Sequence, residues 1–204
     1  EVVLGLLGQP GAVRDARQID ARDGLVAAQR DAGWRPRIEA QGGRRPVRRD
    51  GERLTLDFPA DEFAPVTVPE PLVQGLRTVP VEAYKGKTDY MLVFDSAETV
   101  AAMKPDFGLL ARVPARGVIV TARGRETDFV SRFFAPQVGI DEDPVTGSAH
   151  TTLTPFWAGK LGRTELTAAQ LSRRGGRLWC KLVGGRVEIS GQARAYLSGE
   201  IEIL

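Results

Sequence analysis

Apolar residues recur at every second position in several short runs of this chain, and glycine-rich or proline-rich breaks separate the runs. Residues 46–49 and 52–58 flank Asp50-Gly51, with Leu54, Leu56 and Phe58 on one face, which predicts a hairpin closed by a tight turn. Pro59 ends its second strand. The prolines at 59, 65, 69, 71 and 80 then surround one apolar stretch, Leu72 to Leu76, which predicts a connecting segment holding a single short helix. Further on, the pattern predicts a strand over 90–94, a helix over 97–103 and a strand over 117–122. After an Arg123-Gly124 turn it predicts an antiparallel strand over 128–134. Leu153, Phe156, Trp157 and Leu161 have the spacing of one buried helix face, and Pro155 among them is expected to kink that helix or delay its regular start. Across 177–183, Leu178, Cys180 and Leu182 oppose Trp179, Lys181 and Val183, and Gly184-Gly185 turns the chain into a strand over 186–190. A last pair of strands, 193–197 and 200–204, is expected around Ser198-Gly199.

Strands joined by short turns, with a few helices and no βαβ regularity, place the chain in the α+β class with an antiparallel sheet. The proline-rich stretch sets a domain boundary near Pro80, giving residues 1–80 and 81–204 as the two units.

Composition narrows the function. Net charge is only +2 and the arginines are spread with little aromatic interleaving, so no nucleic-acid partner is expected. No run of eighteen apolar residues occurs and the first residues lack a basic-then-apolar signal, so no membrane association is expected and the protein is read as cytoplasmic. One cysteine, Cys180, excludes an internal disulfide. With one histidine besides, a Cys/His zinc site has too few ligands, so no metal is expected.

The chemistry concentrates in residues 139–162, GIDEDPVTGSAHTTLTPFWAGKLG. Two acids, Glu142 and Asp143, precede a proline, two hydroxyl residues around a glycine, and the single histidine, all just ahead of the helical pattern. Thr146 is the expected N-cap. The amides of Gly147, Ser148 and Ala149 then form the positive end of the helix, where a substrate carboxylate could bind beside an acid/base carboxylate. Asp143 and Ser148 are the candidate catalytic residues, and Thr146, Gly147, Ala149 and His150 the candidate substrate-binding residues. His150 is read as a helix residue near the cleft, Glu142 as exposed or salt-bridged, Cys180 as a packed thiol, and Trp157 and Trp179 as core. The glycines of Arg173-Arg174-Gly175-Gly176 are read as a turn.

RFFAPQVGIDEDPVTGSAH (132–150), followed by TPFWAGKLGR, AAQLSRRGGRLW and VEISGQA, resembles the PhzF family of phenazine-biosynthesis-type isomerases, and upstream LTLDFPA (54–60) and GVIVTARG (117–124) match it in the same order. The resemblance spans residue 45 to the end. It implies a diaminopimelate-epimerase-like fold of two similar halves, each a curved antiparallel sheet around a central helix, here with the first half incomplete. It also implies a cofactor-free homodimer with its site between the halves, moving a proton on a small carboxylate-bearing substrate. In the family a glutamate of the first half is the acid/base group, aided by a histidine of a Cys-Gly-His-Ala-Thr motif and by an Asp and Ser carried over here as Asp143 and Ser148.

The chain departs from that pattern at its start. Glu1-Val2-Val3-Leu4 resembles the lead into the Cys-Gly-His-Ala-Thr motif, but Gly5-Leu6-Leu7-Gly8-Gln9 follows, and residues 5–43 have only weak apolar periodicity. Two origins are open for that segment, an out-of-frame translation of a GC-rich gene and a divergent arm. Two functions follow. The first is an active PhzF-like isomerase whose start is misassigned or truncated. The second is an inactive truncated remnant acting as a binding or dimerisation module. As written, with Asp143 alone, the chain is expected to be inactive or nearly so.

Overall fold

The computed structural model describes residues 37–40 and 43–193, with side chains from Val47 onward. The last expected hairpin and most of the 5–43 segment lie outside the described residues. In chain order the elements begin with strands β1 (Arg37–Ala40), β2 (Gly43–Asp50), β3 (Arg53–Pro59) and β4 (Ala64–Pro65), then helix α1 (Glu70–Leu76). Strands β5 (Glu82–Lys85) and β6 (Asp89–Val93), helices α2 (Ala97–Ala102) and α3 (Phe107–Leu110), and strands β7 (Gly117–Arg123) and β8 (Phe129–Phe134) follow. A 3-10 turn (Pro136–Val138) leads to α4 (Gly147–Leu161), and β9 (Glu165–Gln170), β10 (Gly176–Val183) and β11 (Arg186–Gln192) complete the set.

The expected hairpins form where turn chemistry demanded them. Asp50 pairs with Arg53 across Gly51 at φ +58°, and Val183 pairs with Arg186 across Gly184 at φ +57°, left-handed conformations that glycine adopts without penalty. All described strands join one sheet in the order β1-β2-β3-β11-β10-β9-β8-β7-β6-β5-β4. The expectation of a purely antiparallel sheet needs correction, because β6–β7 and β8–β9 run parallel. Each parallel pair is bridged by helix, α2 and α3 in the first case and α4 in the second, so the described residues contain two βαβ crossovers. The α+β class stands.

The crossovers lie on opposite faces. On one face α4 buries Ala149, Leu153, Phe156, Trp157 and Ala158 against Leu56, Met91, Phe129, Phe133, Leu178 and Ile189. On the other, Leu72, Val100, Leu110, Val118, Val130 and Phe134 pack together beneath the three short helices. Every residue of β8, and all of β7 but Arg123, is therefore buried, as in a sheet covered on both sides. α4 touches both β6 and β11, which lie five strand spacings apart in the sheet order.

Pro155 does not delay α4, which is helical throughout Gly147–Leu161. The carbonyl of Thr151, left without its usual helical donor by that proline, accepts the Asp61 amide at 3.1 Å instead. Asp61 Oδ2 in turn accepts the Thr152 hydroxyl at 3.0 Å. The proline thus opens a docking point for the segment after β3. Trp157 is core, as expected, and donates its indole N–H to Thr121 Oγ1 at 3.0 Å. Trp179 is not: it is half-buried on the opposite side of β10 from Leu178 and Cys180, with the Arg53 guanidinium 3.9 Å above its ring.

Candidate functional site

The loop between the 3-10 turn and α4 is held by the strands beneath it. Asp143 N–H donates to Phe133 O at 3.0 Å, and Ser172 Oγ donates to Pro144 O at 2.7 Å. A Cβ on Gly176 would lie 2.3 Å from Val145 Cγ2, so glycine there lets the loop press against the start of β10. These contacts carry Asp143 to the head of α4 and leave it only 5% exposed.

Around Asp143 the structure gathers a buried polar cluster. Thr146 sits at the N-cap position in extended conformation, but its hydroxyl does not cap the helix; it donates to Asp143 Oδ2. Gln170, at the end of β9 and 1% exposed, accepts the Thr146 N–H on Oε1 at 2.8 Å. Its Nε2 donates to Asp143 O at 2.7 Å and to Thr146 Oγ1 at 3.1 Å. Burial raises the Asp143 carboxyl above the usual aspartate range, opposed by the Thr146 hydrogen bond and by the charges of Arg174 and Arg116. Arg116 is itself clamped by Asp89 through Nε to Oδ1 at 2.9 Å and a second, shorter bond from Nη2 to Oδ2.

Of the residues expected at the site, Asp143, Thr146, Gly147, Ala149 and His150 are all buried, and Ser148 is half-buried in the first turn of the helix. His150 is wholly enclosed, its ring tilted over Phe129 with centroids 5.9 Å apart. Its Nδ1 lies 2.7 Å from Thr146 O, a pure acceptor, so the proton of the neutral ring sits on Nδ1. Burial lowers its pKa to about 4, and Nε2 has no partner. Enclosure suits His150 to holding the Thr146 carbonyl, not to meeting a ligand from solvent. Cys180 is fully buried with its thiol pushed up to about 12, which makes it a packed, unreactive group. Glu142 forms the expected salt bridge, receiving Arg132 Nε at 2.7 Å and Nη2 at 3.1 Å.

Gln170 and Arg116 were not singled out from sequence. The one available signal was a glutamine at a core-facing position of an alternating stretch, since Leu166, Ala168 and Gln170 all point inward from β9. Among the described residues no group of three His, Cys, Asp or Glu side chains is placed to hold a metal, and no helix is long and apolar enough to cross a membrane. The chemical capacity of the cluster is proton transfer. A buried carboxyl with raised proton affinity can give up a proton, and its anion is then stabilised by a hydroxyl, two nearby guanidinium groups and a helix N-terminus.

The family model described as phenazine biosynthesis-like protein matches residues 64–199. An uncharacterised isomerase of Pseudomonas aeruginosa is 52% identical over 174 residues, covering 85% of this chain and 66% of that protein. The crystal structure of a phenazine biosynthesis PhzF-family protein from Enterococcus faecalis superposes with a TM-score of 0.77 at 40% identity, covering 82% of this chain and 64% of the other. A Pseudomonas aeruginosa structure described as a predicted epimerase shares the fold at 15% identity, with a TM-score of 0.53 over 81% of this chain and 67% of its own. The chain spans 66% and 64% of the length of the first two relatives it matches.

Proposed function

The chain belongs to the phenazine biosynthesis-like (PhzF) family, and on that premise we propose that it acts as a cofactor-independent isomerase. The reaction is acid/base proton transfer on a small carboxylate-bearing substrate, in a homodimer as the resemblance implies. The observation that carries this reading is Asp143, a carboxyl 5% exposed at the head of a 15-residue helix, its proton affinity raised by burial and one oxygen already engaged by Thr146. In the reaction Asp143 delivers a proton to, or accepts one from, the substrate carbon skeleton. The Thr146 hydroxyl and the Arg116 and Arg174 charges stabilise the carboxylate that remains. Ser148 shares the proton network around the substrate, and the amides of Gly147 and Ala149 receive the substrate carboxylate, where backbone N–H groups have no helical acceptor of their own.

Relatives named as isomerases support the reaction type. The test is solvent-deuterium incorporation into a panel of cyclohexadiene and amino-acid carboxylates. Uptake by the unsubstituted chain, against the inactive-remnant reading, that falls in Asp143→Asn and in Ser148→Ala supports the site. Uptake that survives both changes overturns it.

A further inference from the structure

Gln170 lies on a different element from Asp143, and its four-atom side-chain amide can be oriented without ambiguity. The Thr146 amide can only donate and the Asp143 carbonyl can only accept, so the partner at 2.8 Å must be the Gln170 oxygen and the partner at 2.7 Å its nitrogen. The second hydrogen of that nitrogen then points to Thr146 Oγ1 at 3.1 Å. An Nε2 group accepts nothing, so the Thr146 hydroxyl receives from Gln170 and has its one proton left for Asp143 Oδ2. His150 holds the Thr146 carbonyl through Nδ1 at 2.7 Å. Thr146 is fixed at its amide, its carbonyl and its hydroxyl, and the relay runs one way: Gln170 to Thr146 to Asp143.

We propose that Gln170 is a positioning residue that fixes this direction and thereby places the acidic proton of Asp143 on Oδ1, the carboxyl oxygen that Thr146 does not occupy. The inference rests on the reading of Asp143 as the acid/base group, but its physical content is a property of the resting protein. With Oδ2 committed to an incoming proton, only Oδ1 offers a donor to a substrate, and the polarised hydroxyl on Oδ2 stabilises the anion left behind. The charged groups acting on Asp143 come from other elements: Arg116 ahead of β7, paired with Asp89, and Arg174 in the β9–β10 loop. The adjacent Glu142 is paired with Arg132. None of these touches the Gln170 amide in the contacts that orient it.

The test is the titration midpoint of Asp143, read by carboxyl 13C NMR on the full chain without any substrate, in a double-mutant cycle. Gln170→Met keeps the length of the side chain but removes the donor, so the Thr146 hydroxyl is free to turn away. The proton affinity of Asp143 is expected to rise roughly threefold or more, about half a pH unit. In a Thr146→Val background the same change is expected to add nothing, because the relay is already cut. An equal rise in both backgrounds, or none in either, overturns the proposal. Gln170→Leu is the second variant should Gln170→Met fail to fold; it also removes the donor without adding a charge, and a rise that vanishes in the Thr146→Val background is again expected. Loss of deuterium uptake is measured separately. If Asp143→Asn leaves uptake intact while the cycle behaves as expected, the functional reading fails and the relay stands.

Discussion

Glu142 and Asp143 are neighbours in the chain but serve opposite faces of the sheet. Glu142 turns to the side of the three short helices and meets Arg132, whose guanidinium also donates to the carbonyls of Met103 at 2.8 Å and Val100 at 3.2 Å and lies 4.9 Å from the Phe134 ring. Asp143 turns to the α4 side, where its carboxyl meets a hydroxyl. The first charge is matched by a full opposite charge and held by groups that already have partners, so it has nothing left to do but hold the layers together. The second is buried with weaker compensation, and that shortfall is what raises its proton affinity. One residue step across a sheet thus divides architecture from chemistry.

The widest separation of the two should come from paired substitutions. Asp143→Asn keeps size and an acceptor for Thr146, so the fold is expected to persist while deuterium uptake falls on the order of a hundredfold or more. Glu142→Gln should do the reverse, costing about 3 kcal/mol in urea unfolding because Arg132 is left buried without its counter-charge, while uptake per folded molecule is unchanged. If both variants lose uptake alike, the division between the faces is not real.

The α4 face also carries a pH signature. His150 titrates near 6.5 when unfolded and near 4 when folded, so its contribution to stability is complete above pH 6.5 and is lost as pH falls toward 4. That span corresponds to about 3 kcal/mol, and His150→Gln should flatten it in denaturation curves taken between those pH values. The smallest effect belongs to Pro155. Pro155→Ala returns an N–H that competes with Asp61 for the Thr151 carbonyl, so a gain in helix propensity of about 3 kcal/mol should outweigh a lost docking bond of about 1 kcal/mol, a net stabilisation of about 2 kcal/mol by thermal melting.

Much of this was legible in the sequence where local chemistry decides the outcome. Gly51 and Gly184 announce their hairpins, and Leu153, Phe156 and Trp157 announce the buried side of α4. The resemblance carried by residues 139–150 located Asp143. What escaped was set by partners far along the chain. β9 reads ELTAAQ, with one strongly apolar residue, and becomes a strand because it fits between β8 and β10. Alternation reveals a strand but not the direction of its neighbour, so both parallel pairings were invisible. α3 is four residues long, too short for periodicity, although Asp106 caps it by accepting the Leu109 amide. Gln170 stands 27 positions from Asp143, and nothing in a lone glutamine tells which loop it will clamp.

The pairing of β3 with β11 joins residues 53–59 to residues 186–192, among the first and last described segments of the chain. During synthesis the β2–β3 hairpin therefore emerges long before its permanent neighbour, and one rim of β3 stays unpaired until β11 emerges. Closure across so long a stretch is slow, since the loop entropy must be spent before the contact repays it. In that interval the open rim can pair with another nascent chain. Arrival of β11 is the step that ends this exposure.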